Sequence, residues 1–203
     1  MNHGTRTESA IFATKELSNR TWPDFVKLFK KPGEWALCQC MYYQRARPLP
    51  RRKREALTSQ QWTERNRREK RELVRKGHAH GILVYSRSEP VGWCQYGPKE
   101  ELPRIDAGRK YKAMALDNHA KRVWRITCFS VDRKHRHQGV ASIALSAALR
   151  SIRNRGGGIV EAYPATHRGA LALWFGTVSM FRREGFRIVA PFGRSNVLMS
   201  KTI

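Results

Sequence analysis

The chain has 203 residues, of which 40% are hydrophobic, enough for a folded core and against a disordered chain. Forty Lys+Arg against 16 Asp+Glu give a formal net charge of +24. Such a field draws anionic partners but says nothing about fold. Four cysteines, Cys38, Cys40, Cys94 and Cys128, are too few for a disulfide scaffold and imply reduced thiols in a cytoplasmic setting. The first residues lack the apolar run of a signal peptide, and no apolar run reaches transmembrane length.

In chain order, a short strand is expected at Ala10–Thr14. Thr21 is placed to cap a helix whose first turn holds Pro23 and Asp24 and whose apolar face is Phe25, Leu28 and Phe29. Pro32-Gly33 ends it. Trp35–Tyr43 is rich in aromatic and apolar residues and reads as a strand. Cys38-x-Cys40 there, and His78-x-His80 later, would each share a strand face, which raises the question of zinc. Cys-x-Cys is not usual structural-zinc spacing. Buried thiols and surface histidines are the plainer reading, and no metal is assigned.

Residues 45–76 form the most basic segment, including Arg51-Arg52-Lys53-Arg54 and Arg67-Arg68. From Ser59 it reads as a polar helix with Trp62, Leu73 and Val74 as apolar contacts and Glu64, Glu69 and Glu72 available for local ion pairs. It could equally contact phosphates. With Trp62 alone for base stacking, sequence-specific nucleic-acid recognition is not supported.

Gly81–Tyr85 and Val91–Tyr96 read as a buried hairpin around Ser86–Pro90. Lys99–Asn118 is irregular and charged, with Leu102–Ile105 crossing the sheet. Val123–Val131 alternates, with Val123, Arg125, Thr127, Phe129 and Val131 expected on one side. A tight basic loop follows, then a helix whose apolar stripe is Val140, Ile143, Ala144, Ala147, Ala148 and Ile152, widened by Leu145 and Leu149. Gly156-Gly157-Gly158 ends it, and Ile159–Tyr163 is the next strand. The unit is βαβ, so the two strands should be parallel. Ala165–Phe175 reads as a loop. Thr177 can cap a short helix, Val178–Glu184, before Gly185. Phe186–Ala190 and Val197–Ser200 then form a last hairpin.

The basic loop delivers Gln138, Gly139, Val140 and Ala141 to the helix start. First-turn amides have no intrahelical acceptor there, and the helix dipole adds positive charge, so the site suits a phosphate or pyrophosphate. Gly139 has no Cβ to keep an anion away.

Val131-Asp-Arg-Lys-His-Arg136-His-Gln-Gly139-Val-Ala141 resembles the acetyl-CoA-binding motif of the GNAT superfamily of N-acetyltransferases, Gln/Arg-x-x-Gly-x-Gly/Ala, at Arg136, Gly139 and Ala141. Met180-Phe-Arg-Arg-Glu-Gly185-Phe186 resembles the family's closing aromatic-x-x-x-Gly-Phe, and Glu89-Pro-Val-Gly-Trp93 a recurrent hairpin. The resemblance is good over residues 81–203 and loose before them. It implies an α/β (in some schemes α+β) fold: one domain over residues 1–203, with a mixed, mostly antiparallel sheet, a splayed central parallel pair, and helices on both faces.

It further implies that amides of Arg136, His137, Gln138, Gly139, Val140 and Ala141 hold the pyrophosphate of acetyl-CoA, with the backbone of Phe129 and Val131 along pantetheine and the thioester carbonyl. Arg133, Lys134 and Arg136 would add charge for the 3′-phosphate. The implied reaction is direct attack of an amine on the thioester, which needs a proton acceptor. Glu161, the only acid in its strand, is the candidate base. Many family members carry a Tyr four residues before the closing Gly; this chain has Phe181, which leaves Tyr163 or water as the acid. Trp174 stands near the family's frequent Asn. The expected function is transfer of acetyl from acetyl-CoA to a primary amine. The alternatives are an acyl-CoA-binding sensor or scaffold of the same fold, and a basic protein that binds nucleic acid.

Overall fold

A computed structural model describes residues 12–31, 38–114, 122–167 and 169–203. Seven strands form one sheet in the order β1-β2-β3-β4-β5-β7-β6. They are β1 (Phe12–Glu16), β2 (His80–Ser86), β3 (Glu89–Pro98), β4 (Val123–Val131), β5 (Ile159–Ala162), β6 (Arg187–Pro191) and β7 (Val197–Thr202). Every neighbouring pair is antiparallel except β4–β5, the pair that the βαβ reading makes parallel. Among the described residues the β1 strand runs Phe12–Glu16, shifted from the expected Ala10–Thr14, whose first residues lie outside them.

Helix α6 (Val140–Asn154) covers one face. Its alanines bring it close, and Val140, Ala144, Leu145, Ala148 and Ile152 pack with Ile82, Val84, Cys94, Tyr96, Trp124, Ile126 and Val160. Gly92 permits the approach, since a Cβ there would stand 2.3 Å from a Val140 methyl. Helix α1 (Trp22–Lys30) covers the other face, where Phe25 and Phe29 meet the Trp93 ring edge-on at 4.9 and 6.2 Å. Thr21 precedes α1 but makes no side-chain cap; its hydroxyl instead donates to the Glu16 carbonyl at 2.8 Å and closes the β1–α1 turn.

The basic segment comprises α2 (Arg51–Glu55) and α3 (Ser59–Arg75). Thr58 and Gln61 cap α3 reciprocally. Short helices α4 (Arg104–Ala107) and α5 (Arg109–Lys112) occupy the region expected to be irregular, with Leu102 and Ile105 buried. Residues 115–118 of that stretch lie outside the described residues. Helix α7 (Ala170–Phe175) replaces an expected loop; it is a single six-residue stretch between Gly169 and Gly176, too short to display a period. Helix α8 (Val178–Arg183) follows, with the Thr177 hydroxyl accepting from the Met180 amide at 3.2 Å.

Two further expectations fail for local reasons. The Trp35–Tyr43 strand is not present at residues 38–40, which turn; residues 35–37 lie outside the described residues. Gln39 and Cys40 both have left-handed backbone, φ 48° and 51°. Gln39, Cys40 and Met41 are buried although none of them lies in a strand. The strict alternation of β4 also fails. Gln95 pairs with Cys128 while Tyr96 pairs with Ile126, so Thr127 is an extra residue. The bulge reverses the side-chain parity beyond it. Phe129 and Val131 therefore join Trp124 and Ile126 on the α6 face, and Cys128 turns to the α1 face.

Candidate active site

The site begins where β4 and β5 part. Their pairing runs from Val123↔Ile159 to Ile126↔Ala162 and stops. The chain after β5 turns toward Thr177 and Asn196, with bridges from Ala165 to each. Beyond Ile126, β4 has no strand on that side among the described residues, while β3 stays paired with it as far as Val131. A strand edge left open inside a sheet offers unpaired backbone groups to an extended ligand.

A cleft of about 790 Å³ opens at this edge. Phe129 and Val131 form one side of it. Arg133, Arg136, His137, Gly139, Val140, Ala141 and Ser142 form its floor, and Trp174 of α7, Thr177 and Met180 its far wall. Its volume is in the range of small-molecule and cofactor sites.

The floor has backbone geometry suited to an anion. His137 (φ 62°) and Gly139 (φ 79°) are left-handed, and Gln138 between them is not. Such alternation turns successive amides inward as a nest. Gly139 is the N-cap residue of α6 and brings no side-chain cap, so first-turn amides are left to another partner. A Cβ on Gly139 would meet nothing within 4 Å, so the space above the turn is open. The loop is clamped from below. Asp132 accepts from the Lys134 amide at 2.9 Å and pairs with Lys31 at 2.7 Å, and Lys31 also donates to the Pro90 carbonyl at 3.0 Å. Burial works to raise the Asp132 pKa, but Lys31 and the Lys134 amide outweigh it and hold the carboxyl below its usual range.

Of the residues named for the acyl donor, Phe129, Val131, Arg136, His137, Gly139, Val140 and Ala141 line the cleft. Gln138 does not line it; its side-chain amide donates to the Lys134 carbonyl at 2.9 Å. Ser142, Trp174, Thr177 and Met180 also line it. Proximity to the motif could have flagged Ser142. Trp174 comes from the stretch expected to be a loop, whereas Thr177 and Met180 belong to the cap and short helix that the sequence does indicate.

Glu161 and Tyr163 do not line the cleft. They stand on the sheet face away from α6, at its closed end. Glu161 is 1% exposed, and its Oε2 accepts from Tyr163 at 2.7 Å and from Arg125 Nε at 3.3 Å. Tyr111 donates to both carboxylate oxygens, at 2.8 and 2.9 Å. Arg125 is fully buried and forks onto Asp106 with two contacts of 2.7 Å. Burial pushes the Tyr163 phenol well above its ordinary pKa, so it stays protonated and donates. Tyr111, raised to about 12 by burial and by Glu161, does the same from a half-buried position. The roles of Tyr111 and Arg125 were not readable in the sequence, because Tyr111 lies 50 positions from Glu161 and no local pattern joins them.

Phe181 occupies a sealed aromatic pocket, 0% exposed, with its ring 6.1 Å from Phe129 and 5.1 Å from Phe186. No metal-binding cluster of three or more His, Cys, Asp or Glu exists among the described residues. None of their helices is long and apolar enough to cross a membrane.

Known proteins agree with this geometry. An acetyltransferase of the GNAT family from Desulfovibrio desulfuricans is similar in structure, with 12% identity, coverage of 95% of this chain and 99% of that one, and a TM-score of 0.54. So are the PaiA N-acetyltransferase from Thermoplasma acidophilum, solved with coenzyme A (10%, 95% and 99%, 0.54), and the ribosomal-protein-S5-alanine acetyltransferase from Vibrio fischeri (11%, 94% and 92%, 0.53). At such identities these likenesses show the fold alone. No curated protein matches the sequence at a significant level. The family model described as Acetyltransferase (GNAT) family matches residues 43–176. That match spans more than half of the chain and takes in both the open edge of β4 and the α6 anion site, and the chain belongs to the GNAT family of acetyltransferases.

Proposed function

We propose that the protein is an N-acetyltransferase that moves acetyl from acetyl-CoA to a primary amine by direct attack. The observation that carries this reading is the coincidence of an unpaired strand edge, Thr127–Val131, with an anion nest at Gly139 in one cleft. Amides of Arg136–Ala141 hold the pyrophosphate, and the backbone of Phe129 and Val131 aligns the pantetheine arm and the thioester carbonyl. Arg133 and Arg136, both at the cleft, supply charge for the remaining phosphate. When bound, acetyl-CoA supplies an acyl group already activated as a thioester.

The amine must shed a proton before it attacks. We assign that proton to the Glu161 carboxylate. Tyr111 is half-buried and hydrogen-bonded to Glu161, so its hydroxyl links the buried carboxylate to the outside of this face. Tyr163 donates to Oε2 of the same carboxylate at 2.7 Å and makes the shorter phenol contact. The acceptor is a primary amine on an anionic molecule, since a chain of net charge +24 concentrates anions around itself; nucleic acid is within that class. The cytoplasm is the compartment that suits free thiols and acetyl-CoA.

Phe181 supports a second reading, a member of the family that binds acyl-CoA as a sensor or scaffold. Its ring is sealed among Phe129 and Phe186 and offers no acid to a departing thiolate. Release of CoA thiol from acetyl-CoA across a panel of small and peptide amines decides between the two. Amine-dependent release supports the transferase. Ligand binding without release for every amine tested supports the sensor.

A further inference from the structure

On the α1 face, behind the cleft, two cysteines from distant parts of the chain meet. Cys40 Sγ lies 3.5 Å from Cys128 Sγ, within thiol hydrogen-bond range. Cys40 belongs to the 38–40 turn, and Cys128 follows the β4 bulge and directly precedes Phe129 of the cleft. Two further groups hold Cys40, and a buried cation stands over one of them. The Trp93 indole donates to its sulfur at 3.1 Å, the Gln95 amide donates to its carbonyl at 2.9 Å, and Lys70 stands 5.7 Å above the Trp93 ring. Lys70 is 0% exposed and donates to Gln44 at 2.7 Å, so it brings a cation into an otherwise apolar cluster.

This surrounding favours a thiolate. Burial alone would raise the Cys40 pKa, but the Cys128 thiol, the Lys70 charge and the Trp93 N–H together bring it below the ordinary thiol value. Cys128, by contrast, is held high by the neighbouring Cys40 and by burial. Cys40 is 3% exposed and Cys128 half-buried, so Cys128 is the more exposed of the pair. The two left-handed residues, Gln39 and Cys40, put the sulfur where it is; non-glycine residues rarely hold that conformation.

We propose that Cys40 and Cys128 form an oxidative modification site whose substrate is a small hydroperoxide and whose product is a disulfide that ties the 38–40 turn to β4 beside the acyl cleft. The Cys40 sulfur attacks the terminal peroxide oxygen, the O–O bond breaks, and Cys40 becomes a sulfenic acid as hydroxide leaves. Cys128 then attacks that sulfur and expels its oxygen, which leaves as water with the Cys128 proton. With hydrogen peroxide, two thiols lose two electrons and two protons, and the peroxide is reduced to two waters. The sulfurs need to close by only about 1.5 Å to reach disulfide length.

The full-length protein, reduced and then exposed to about one equivalent of hydrogen peroxide, tests this by peptide mapping without reductant. The expected result is a peptide pair joined through Cys40 and Cys128, reversed by dithiothreitol, and formed equally in Cys38→Ser. In Cys128→Ser, dimedone should label Cys40. Persistence of all four thiols, a crosslink through Cys38 or Cys94, or dimedone labelling confined to Cys128 in Cys40→Ser would each overturn the proposal. None of these readouts depends on acetyl transfer, so they stand or fall apart from the proposed function.

Discussion

Arg125 and Glu161 sit opposite each other across the parallel pair, Nε to Oε2 at 3.3 Å, with Arg125 0% and Glu161 1% exposed. They close the end of the gap from which the cleft opens. Removing one partner from such a pair strands the other without water. Arg125→Met takes the buried guanidinium away from Glu161 and should destabilise the fold by about 3–5 kcal/mol. Glu161→Gln leaves Arg125 its fork onto Asp106 and should cost less, about 1.5–3 kcal/mol. Urea unfolding of both variants gives the ranking; a costlier Glu161→Gln would show that Asp106 does not hold the arginine alone.

Glu161→Gln also bears on chemistry. In the proposed role of proton acceptor, Glu161 would contribute roughly 10²–10⁴ in turnover. The variant should bind acetyl-CoA as the parent does, because Glu161 lies outside the cleft, but release CoA thiol at a rate lower by that factor. Unchanged turnover with intact folding would assign the carboxylate a structural role only.

Asp132 anchors the β4–α6 loop from beneath through Lys31 and the Lys134 amide. Asp132→Asn should lose about 1 kcal/mol near neutral pH, the scale of a lost cap. The native carboxyl titrates below its usual range, so it contributes stability above the unfolded pKa and loses it as pH falls through the folded value. The gap between parent and variant should therefore close in acid. Melting curves at pH 7 and at about pH 3 provide the check.

Lys70 gives the same sign in a higher pH range. Burial lowers its pKa to about 8, against the pull of Cys40, Cys38 and Cys128. Between that value and about 10.4 the unfolded chain holds a proton that the folded chain has released, so stability rises with pH. Relative to Lys70→Met, the parent should gain up to about 3 kcal/mol across that interval. Urea titrations of both proteins at pH 7 and about pH 10, under reductant, measure the difference; a constant difference would mean that Lys70 stays charged.

The parts legible in the sequence were those carried by local pattern. The β4–α6–β5 unit shows in strong strand composition, a helical stripe and a glycine run, and Gly139, placed at the helix start, is the left-handed N-cap residue of α6. What escaped depends on tertiary contact. The Thr127 bulge inserts one residue without disturbing the apolar run, so no alternation count finds it, yet it decides which face Phe129 presents. The turn at Gln39 and Cys40 was hidden because burial against Trp93 selects the same residue types as a strand. Tyr111 reaches Glu161 only because α4 and α5 fold back over β5.

The most direct measurement is the melting temperature with saturating acetyl-CoA, for the parent and for two substitutions at Gly139. Gly139→Asn tolerates φ 79° and adds no charge, so it should keep the shift. Gly139→Glu places like charge at the nest and should abolish it. At about 100 times its dissociation constant, a ligand of the folded state stabilises by roughly 2.7 kcal/mol, and the parent should show a rise of several degrees. No rise in the parent, or an equal rise in Gly139→Glu, would contradict acetyl-CoA binding at the β4–α6 turn.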